Sequence, residues 1–290
     1  MSMEVFMKSV RFILCIIFIL SISSAVFGHE EEAPFSGAIG EPLIVHHAHI
    51  EDEQSFNFAF NDDFRKEEGG KERFAFESSL ELAKTWNDNF SFGSEILIPF
   101  SDTGNDDNRY ALGDIELWPI KYAFLNQRER ILTGVFSIGL PTGNKTQGFG
   151  EGQTKLGALL FLDQSWRNWF FGANAEFESV VSGPTETEVE FAFALAYSFI
   201  EETGVGIAPS KPKQSIVPVL SLELISENIL SGLEKENDTI TILPGVQLWN
   251  PASGWRASLG AEVPISSYRN NDFKIHFKLQ NHFDWGKWFK

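Results

Sequence analysis

From Ser55 onward, apolar and polar residues alternate along most of this chain with period two, the pattern of strands buried on one face. Phe56, Phe58 and Phe60 alternate with Asn57 and Ala59. Phe74, Phe76, Leu80 and Leu82 alternate with Arg73, Glu77, Ser79 and Glu81. Val189, Phe191, Phe193, Leu195, Tyr197 and Phe199 face away from Glu188, Glu190, Ala192, Ala194, Ala196 and Ser198. Phe273, Ile275, Phe277 and Leu279 face away from Lys274, His276, Lys278 and Gln280. Each run therefore has one greasy face and one face of charges, amides and small residues.

The alternation predicts strands near 54–61, 71–86, 90–100, 111–125, 130–140, 153–163, 168–181, 186–199, 215–226, 239–249, 254–265 and 272–284. A sandwich would show the same period, but three features favour a membrane barrel. The runs reach ten or more residues, as a tilted membrane-crossing strand requires. Aromatic residues gather near strand ends, at Trp86, Phe90, Phe100, Trp166, Trp169, Trp249, Trp255, Trp285 and Trp288, as interfacial girdles do. The connections alternate between short turns (87–89, 126–129, 164–168, 251–254) and longer polar loops (61–72, 101–109, 142–153, 227–238). The expected fold is all-β: a single transmembrane antiparallel up-and-down β-barrel of about twelve strands, with ten or fourteen as alternatives. An even count puts both termini on the periplasmic side. Pro119 interrupts the fourth strand and predicts a bulge or an end there, since proline cannot donate to a ladder. Residues 201–214 form a long linker on the side where short turns are expected.

The start of the chain has another character. Lys8 and Arg11 precede an uncharged apolar run from Phe12, and small residues follow up to Gly28. This is the layout of a cleaved signal peptide over 1–28, the apolar run being shorter than the ~20 residues of a membrane anchor. Residues 29–53 show little periodicity and read as a periplasmic lead-in to a barrel over 54–290. The single cysteine, Cys15, falls in the signal, so disulfides do not hold the exported protein together.

Composition narrows the partners. A formal net charge of -17 argues against nucleic acid. Acidity of that size often means disorder, but 28 Phe and 8 Trp supply abundant apolar surface. The partners expected are outer-membrane lipid, the barrel-insertion machinery and a small solute, with no cofactor and with a monomer favoured.

One stretch is more specific. Gly113-Asp114-Ile115-Glu116-Leu117 leads to Lys121-Tyr122, and Val135 to Leu140 runs into Pro141-Thr142-Gly143-Asn144. A loop with Gly148, Gly150 and Gly152 follows, then Gly157-Ala158-Leu159-Leu160 and Trp169 to Asn174. This order resembles the outer-membrane barrel family named for the meta-pathway of phenol degradation, and the Leu-Pro-Thr-Gly-Asn corner is its best marker. The segment from Glu41-Pro42-Leu43 to Glu51 is similar to the one that opens such barrels. The resemblance implies a barrel transporter, with passive passage of small, often apolar or aromatic compounds, and no catalytic residues. A departure lies at the end, where Phe289 is followed by Lys290 instead of closing the chain.

The polar face supplies the candidate site. Inward acids are expected at Glu77, Glu81, Glu95, Asp114, Glu116, Glu176, Glu178, Glu188, Glu190, Glu223 and Glu262, and inward bases at Arg73, Lys155, Arg256, Lys274 and Lys278. Such a wall either selects cations or forms a salt-bridged network, because buried charges need partners and a barrel of this size has little spare width. Lipid is expected against Phe74, Phe76, Leu80, Leu82, Val189, Phe191, Phe193, Leu195, Phe273, Ile275, Phe277 and Leu279. His46, His47 and His49 with Glu51, Asp52 and Glu53 are weak metal candidates, since imidazoles suit zinc, copper or nickel but the spacing is not that of a helical zincin. The Gly-rich loop 141–152 lacks a P-loop ending and reads as a mobile outer loop. Asn281-His282 raises a lipid hydrolase without an evident serine partner. The function expected is a passive channel. A closed barrel acting as envelope scaffold or binding protein is the alternative, and a lipid hydrolase the remoter one.

Overall fold

The computed structural model describes residues 42–63, 73–97, 100–101, 109–110, 112–127, 129–147, 149–183, 186–200, 215–232, 238–266 and 273–282. The expected signal peptide, the expected linker 201–214 and the terminal aromatics Trp285, Trp288 and Phe289 lie outside the described residues.

Fourteen strand segments form one antiparallel sheet: β1 (Glu53–Asp63), β2 (Arg73–Asn87), β3 (Phe90–Leu97), β4 (Phe100–Ser101), β5 (Arg109–Tyr110), β6 (Ile115–Asn126), β7 (Arg130–Leu140), β8 (Lys155–Trp166), β9 (Trp169–Val180), β10 (Thr187–Ser198), β11 (Val217–Ser231), β12 (Thr239–Trp249), β13 (Arg256–Pro264) and β14 (Lys274–His282). β4 continues β3 along β2, and β5 pairs with β4 ahead of β6, so the wall has twelve strands. Consecutive strands are neighbours. β1 pairs with β2 on one side and β14 on the other, Glu53 lying opposite both Ala83 and His282, and this closes the barrel. Closure leaves no open sheet edge. Among the described residues no helix is long and apolar enough to cross a membrane.

The alternation decides which way each side chain points. On β10, Phe191, Phe193 and Leu195 are exposed while Ala192, Ala194 and Ala196 are buried. The exposed set continues around the wall through Phe136, Leu160, Phe171, Leu222, Leu224, Val246 and Leu259. An apolar outer belt of this extent suits hydrocarbon and not water. Trp86, Phe124, Trp166, Trp169 and Phe199 stand exposed at the short-turn end, where Trp169, Tyr197 and Phe199 meet edge to face. Trp249, expected in that girdle, instead packs inward against Phe170, Val217 and Val219, with the Arg256 guanidinium 5.4 Å from its ring centroid.

Pro119 marks a bulge. The β6–β7 register shifts between Leu117 and Ile120, and the β3–β6 register between Ser91 and Gly93. The extra residue switches the facing of β6. Trp118 and Lys121 are both buried inside the barrel although they are three apart, and Pro119 and Ile120 face out.

Residues 42–52 correct the sequence reading most. They are not a periplasmic leader but run inside the barrel, with Leu43, Val45, His47, Ala48, His49, Ile50 and Asp52 all buried. The described part of loop 141–152, expected as a mobile outer loop, is tied to the wall by hydrogen bonds. The Asp114 carboxylate accepts the Gly143 and Glu151 amides at 2.8 and 2.7 Å, and Phe149 is buried. A Cβ on Gly143 would sit 1.8 Å from the Phe149 carbonyl oxygen, so this corner needs glycine.

Candidate functional site: a plugged lumen

The inner segment is held by hydrogen bonds from the wall. Glu223 on β11 accepts the backbone amides of Leu43, Ile44 and Val45 at 2.7, 2.9 and 2.9 Å. Three strands round the wall, Asp163 on β8 accepts the Ala48 amide at 2.8 Å. Lys121 donates to the His47 carbonyl and Thr133 to the Ala48 carbonyl, at 3.0 and 2.6 Å. At the turn end, Asp52 takes Lys84 at 2.5 Å and the Thr85 amide at 2.6 Å. An extended segment inside a barrel has no ladder of its own, and its backbone polar groups still need partners. The buried charges of Glu223, Asp163 and Lys121 supply them, and the segment's amides and carbonyls compensate those charges in return.

Apolar contacts finish the seat. Ala48 and Ile50 join Trp118, Ala123, Ile131, Val135, Leu159 and Phe161 in one buried cluster. Val45 joins Ala192, Ala194 and Ile225 in another. The inner wall at this level mixes these apolar patches with the buried charges and hydroxyls that hold the segment. Leu43 lies against two glycines, and a Cβ on Gly245 or Gly260 would come within 2.9 or 2.5 Å of its Cδ1. His46 stacks on Phe161 with ring centroids 5.4 Å apart and meets Trp118 edge-on at 5.0 Å. Burial, and after it the ammonium groups of Lys278 and Lys121, push this imidazole down to about 3, so the ring is neutral.

Toward the loop end the lumen opens into a cavity of about 650 Å³. Leu43, Ile44 and His46 form part of its lining, as do Phe149 and Gly150 of the pinned loop. Its walls carry many of the expected inward charges: Glu77, Glu81, Asp114, Glu116, Lys155, Glu178, Lys274 and Lys278. Several are paired. Lys274 meets Glu77 at 2.8 Å, Lys155 meets Glu151 and Glu178 at 2.9 and 3.0 Å, and His276 meets Glu262 at 2.7 Å. Glu116 accepts the Trp118 indole at 2.9 Å. Beside this lining, on β10 and its neighbours, like charges face one another, because the register sets Glu188 opposite Glu178 and Glu190 opposite both Glu176 and Glu227. Arg256 and Glu223 sit deeper, Arg256 at the turn end and Glu223 under the plug. Glu95 pairs through its backbone with Glu81 and Glu116. The side chains of Arg73, Phe74, Phe76 and Glu95 lie outside the described residues.

Of the other expected outward residues, Leu80, Leu82, Val189, Ile275, Phe277 and Leu279 are half-buried, and Phe273 is exposed. Sequence reasoning missed the wall residues that hold the plug, Asp163, Lys121 and Thr133. A signal existed for one of them, since Asp163 is the single charge inside the greasy stretch of β8.

No protein-family model matches the sequence, and no curated protein matches it. Solved structures do. An outer-membrane channel from Pseudomonas putida F1 superposes with a TM-score of 0.56 at 14% identity, over 84% of this chain and 100% of that one. The two share a fold, that of an outer-membrane β-barrel. The NanC porin superposes at 0.49 with 10% identity, over 80% and 99% of the two chains. The KdgM porin in complex with disordered oligogalacturonate does so at 0.46 with 9% identity, also over 80% and 99%.

Proposed function

We propose that the chain is a passive outer-membrane channel for small solutes whose resting state is closed from within by residues 42–52. The carrying observation is the seat of that segment, with Glu223 on β11 and Asp163, Thr133 and Lys121 on β8, β7 and β6 holding a strip of chain inside the lumen. A structural filler needs no cavity beyond it, yet a chamber of about 650 Å³ lies on the loop side. The even strand count supports placing both termini on the periplasmic side. The resemblance of residues 111–199 to the meta-pathway barrels supports apolar or aromatic solutes, and the apolar clusters that flank the plug agree with that class.

The experiment is a planar-bilayer recording of the full protein beside a variant lacking residues 43–51. The full protein should give small or rare steps and the deletion large discrete ones. A deletion variant that inserts, shifts on heating in a gel and stays silent would overturn the channel reading in favour of the scaffold. The hydrolase gains no support at Asn281, whose amide nitrogen donates to the Ser253 carbonyl at 3.2 Å.

A further inference from the structure

We propose that the plug carries a binding site for a divalent transition-metal ion, formed by His47, His49 and Glu51. The three offer ligand atoms that all lie within 4.8 Å of one another. Their spacing explains the convergence. His47 and His49, two apart in a stretch without a bend, point the same way, and the bend at Glu51 brings its carboxylate to His49. Both imidazoles are buried, and the two ring centroids are 5.0 Å apart.

The surroundings match those of a metal ligand set. Ligating histidines almost always donate their second ring N–H to a carboxylate or carbonyl, which fixes the tautomer. Here His47 Nε2 lies 2.6 Å from Glu53 Oε2, and His49 Nε2 lies 3.2 Å from Asp163 Oδ2. Both carboxylates are themselves anchored, Glu53 by the Gln280 amide at 2.6 Å and Asp163 by the Ala48 amide at 2.8 Å. On His47 this leaves Nδ1 as the ligating atom, and on His49, whose Nε2 only makes an ion-pair contact with Asp163, Nδ1 is the ring nitrogen that faces Glu51. His49 Nδ1 already lies 3.0 Å from Glu51 Oε1. Bonds of ~2.0–2.2 Å set ligand atoms about 3.4 Å apart around tetrahedral zinc, so that edge needs to open by only a few tenths of an ångström. Two imidazoles and a carboxylate suit zinc, copper or nickel and not calcium or magnesium, which take oxygen ligands. The ligands all sit on the plug while the carboxylates that orient them sit on β1 and β8, so a bound ion stiffens the plug in the place where those carboxylates hold its histidines. The site stands on the cluster alone, and its effect on conductance rests on the channel reading above.

The full protein, purified in detergent and stripped with EDTA, is titrated with zinc by calorimetry and with cobalt by visible absorption. We expect one ion per chain, with cobalt bands of a nitrogen–oxygen site. His47→Gln and His49→Gln should each weaken binding at least tenfold, and Asp163→Asn by about 10–100-fold. His276→Gln, at the remote pair with Glu262, should leave it unchanged. Each variant is checked for the folded barrel by its gel shift on heating. No saturable uptake by the wild type, or uptake equal in folded His47→Gln and His49→Gln, would overturn the site. In bilayers, zinc should suppress the wild-type steps and EDTA restore them. A protein silent under every condition that still takes up one zinc, lost in His49→Gln, would uphold the site and overturn the channel.

Discussion

At the scale of single residues, the plug is a balance between a few strong contacts and the freedom of the chain that makes them. Glu223 carries the largest share, because one fully buried carboxylate accepts three consecutive amides. Hydrogen bonds to a charged group contribute roughly 1.5–3 kcal/mol each. Glu223→Leu should therefore free the plug by well over tenfold, since each 1.4 kcal/mol is about a factor of ten. Glu223→Gln, which keeps one acceptor oxygen, should fall between. The reporter is the thiol-labelling rate of Ala48→Cys with Cys15 replaced by serine. Ala48 is fully covered by the wall, so labelling reads release directly, and equal rates in wild type and Glu223→Leu would refute the role. Leu43 allows a second test, by coupling. Gly260→Ala alone should speed labelling, because its Cβ would stand 2.5 Å from Leu43 Cδ1 and 2.7 Å from Leu243 Cδ2. Adding Leu43→Ala should reverse part of that, giving an interaction energy of about 0.5–3 kcal/mol. Strict additivity would mean that Leu43 does not seat on these glycines.

At the scale of elements, what the sequence could reveal follows from what constrains each residue. Lipid outside enforces apolar residues at every second position of every strand, so the wall is written many times over and is readable from Phe56 to Leu279. Pro119 was readable as a break for a separate reason, its missing donor. That the break would turn both Trp118 and Lys121 inward was not, because a bulge changes parity only by pairing with its neighbours. The plug was illegible because its partners lie far away in sequence, Leu43 and Glu223 being 180 residues apart. Its one local trace is the spacing of His47, His49, Glu51 and Glu53, which carries the strand period backward into a stretch that otherwise looks like a leader. β10 separates the two faces experimentally. Phe193→Arg puts a charge on the lipid side and should cost roughly 2–4 kcal/mol of barrel stability near mid-bilayer. Ala194 faces Val45 of the plug, so Ala194→Arg should leave the barrel folded and raise conductance. Urea titration in lipid vesicles measures the first effect and bilayer recording the second. Equal loss of stability in both variants would contradict the assignment of the two faces.

At the scale of the molecule, one half of the lumen is the seat of the plug and the other an acidic chamber, and the two do different work. The seat sets whether anything passes, and the chamber sets what reaches it. In the chamber the bases are largely spoken for: Lys274 by Glu77, and Lys155 by Glu151 and Glu178. Glu188 and Glu190 have carboxylates opposite them across the strands. The field that remains is negative, and low-dielectric walls concentrate it. Once the plug is removed, the barrel should therefore pass potassium in preference to chloride. Glu188→Gln with Glu190→Gln should reduce that preference several-fold while leaving Ala48→Cys labelling in the plugged protein unchanged. Raising the salt toward 1 M, where the Debye length falls to about 3 Å, should have a similar effect on the wild-type chamber. Reversal potentials in a potassium chloride gradient give the ratio. A preference for chloride, or one indifferent to both the double substitution and salt, would mean that the paired bases and not the facing glutamates set the potential of the chamber.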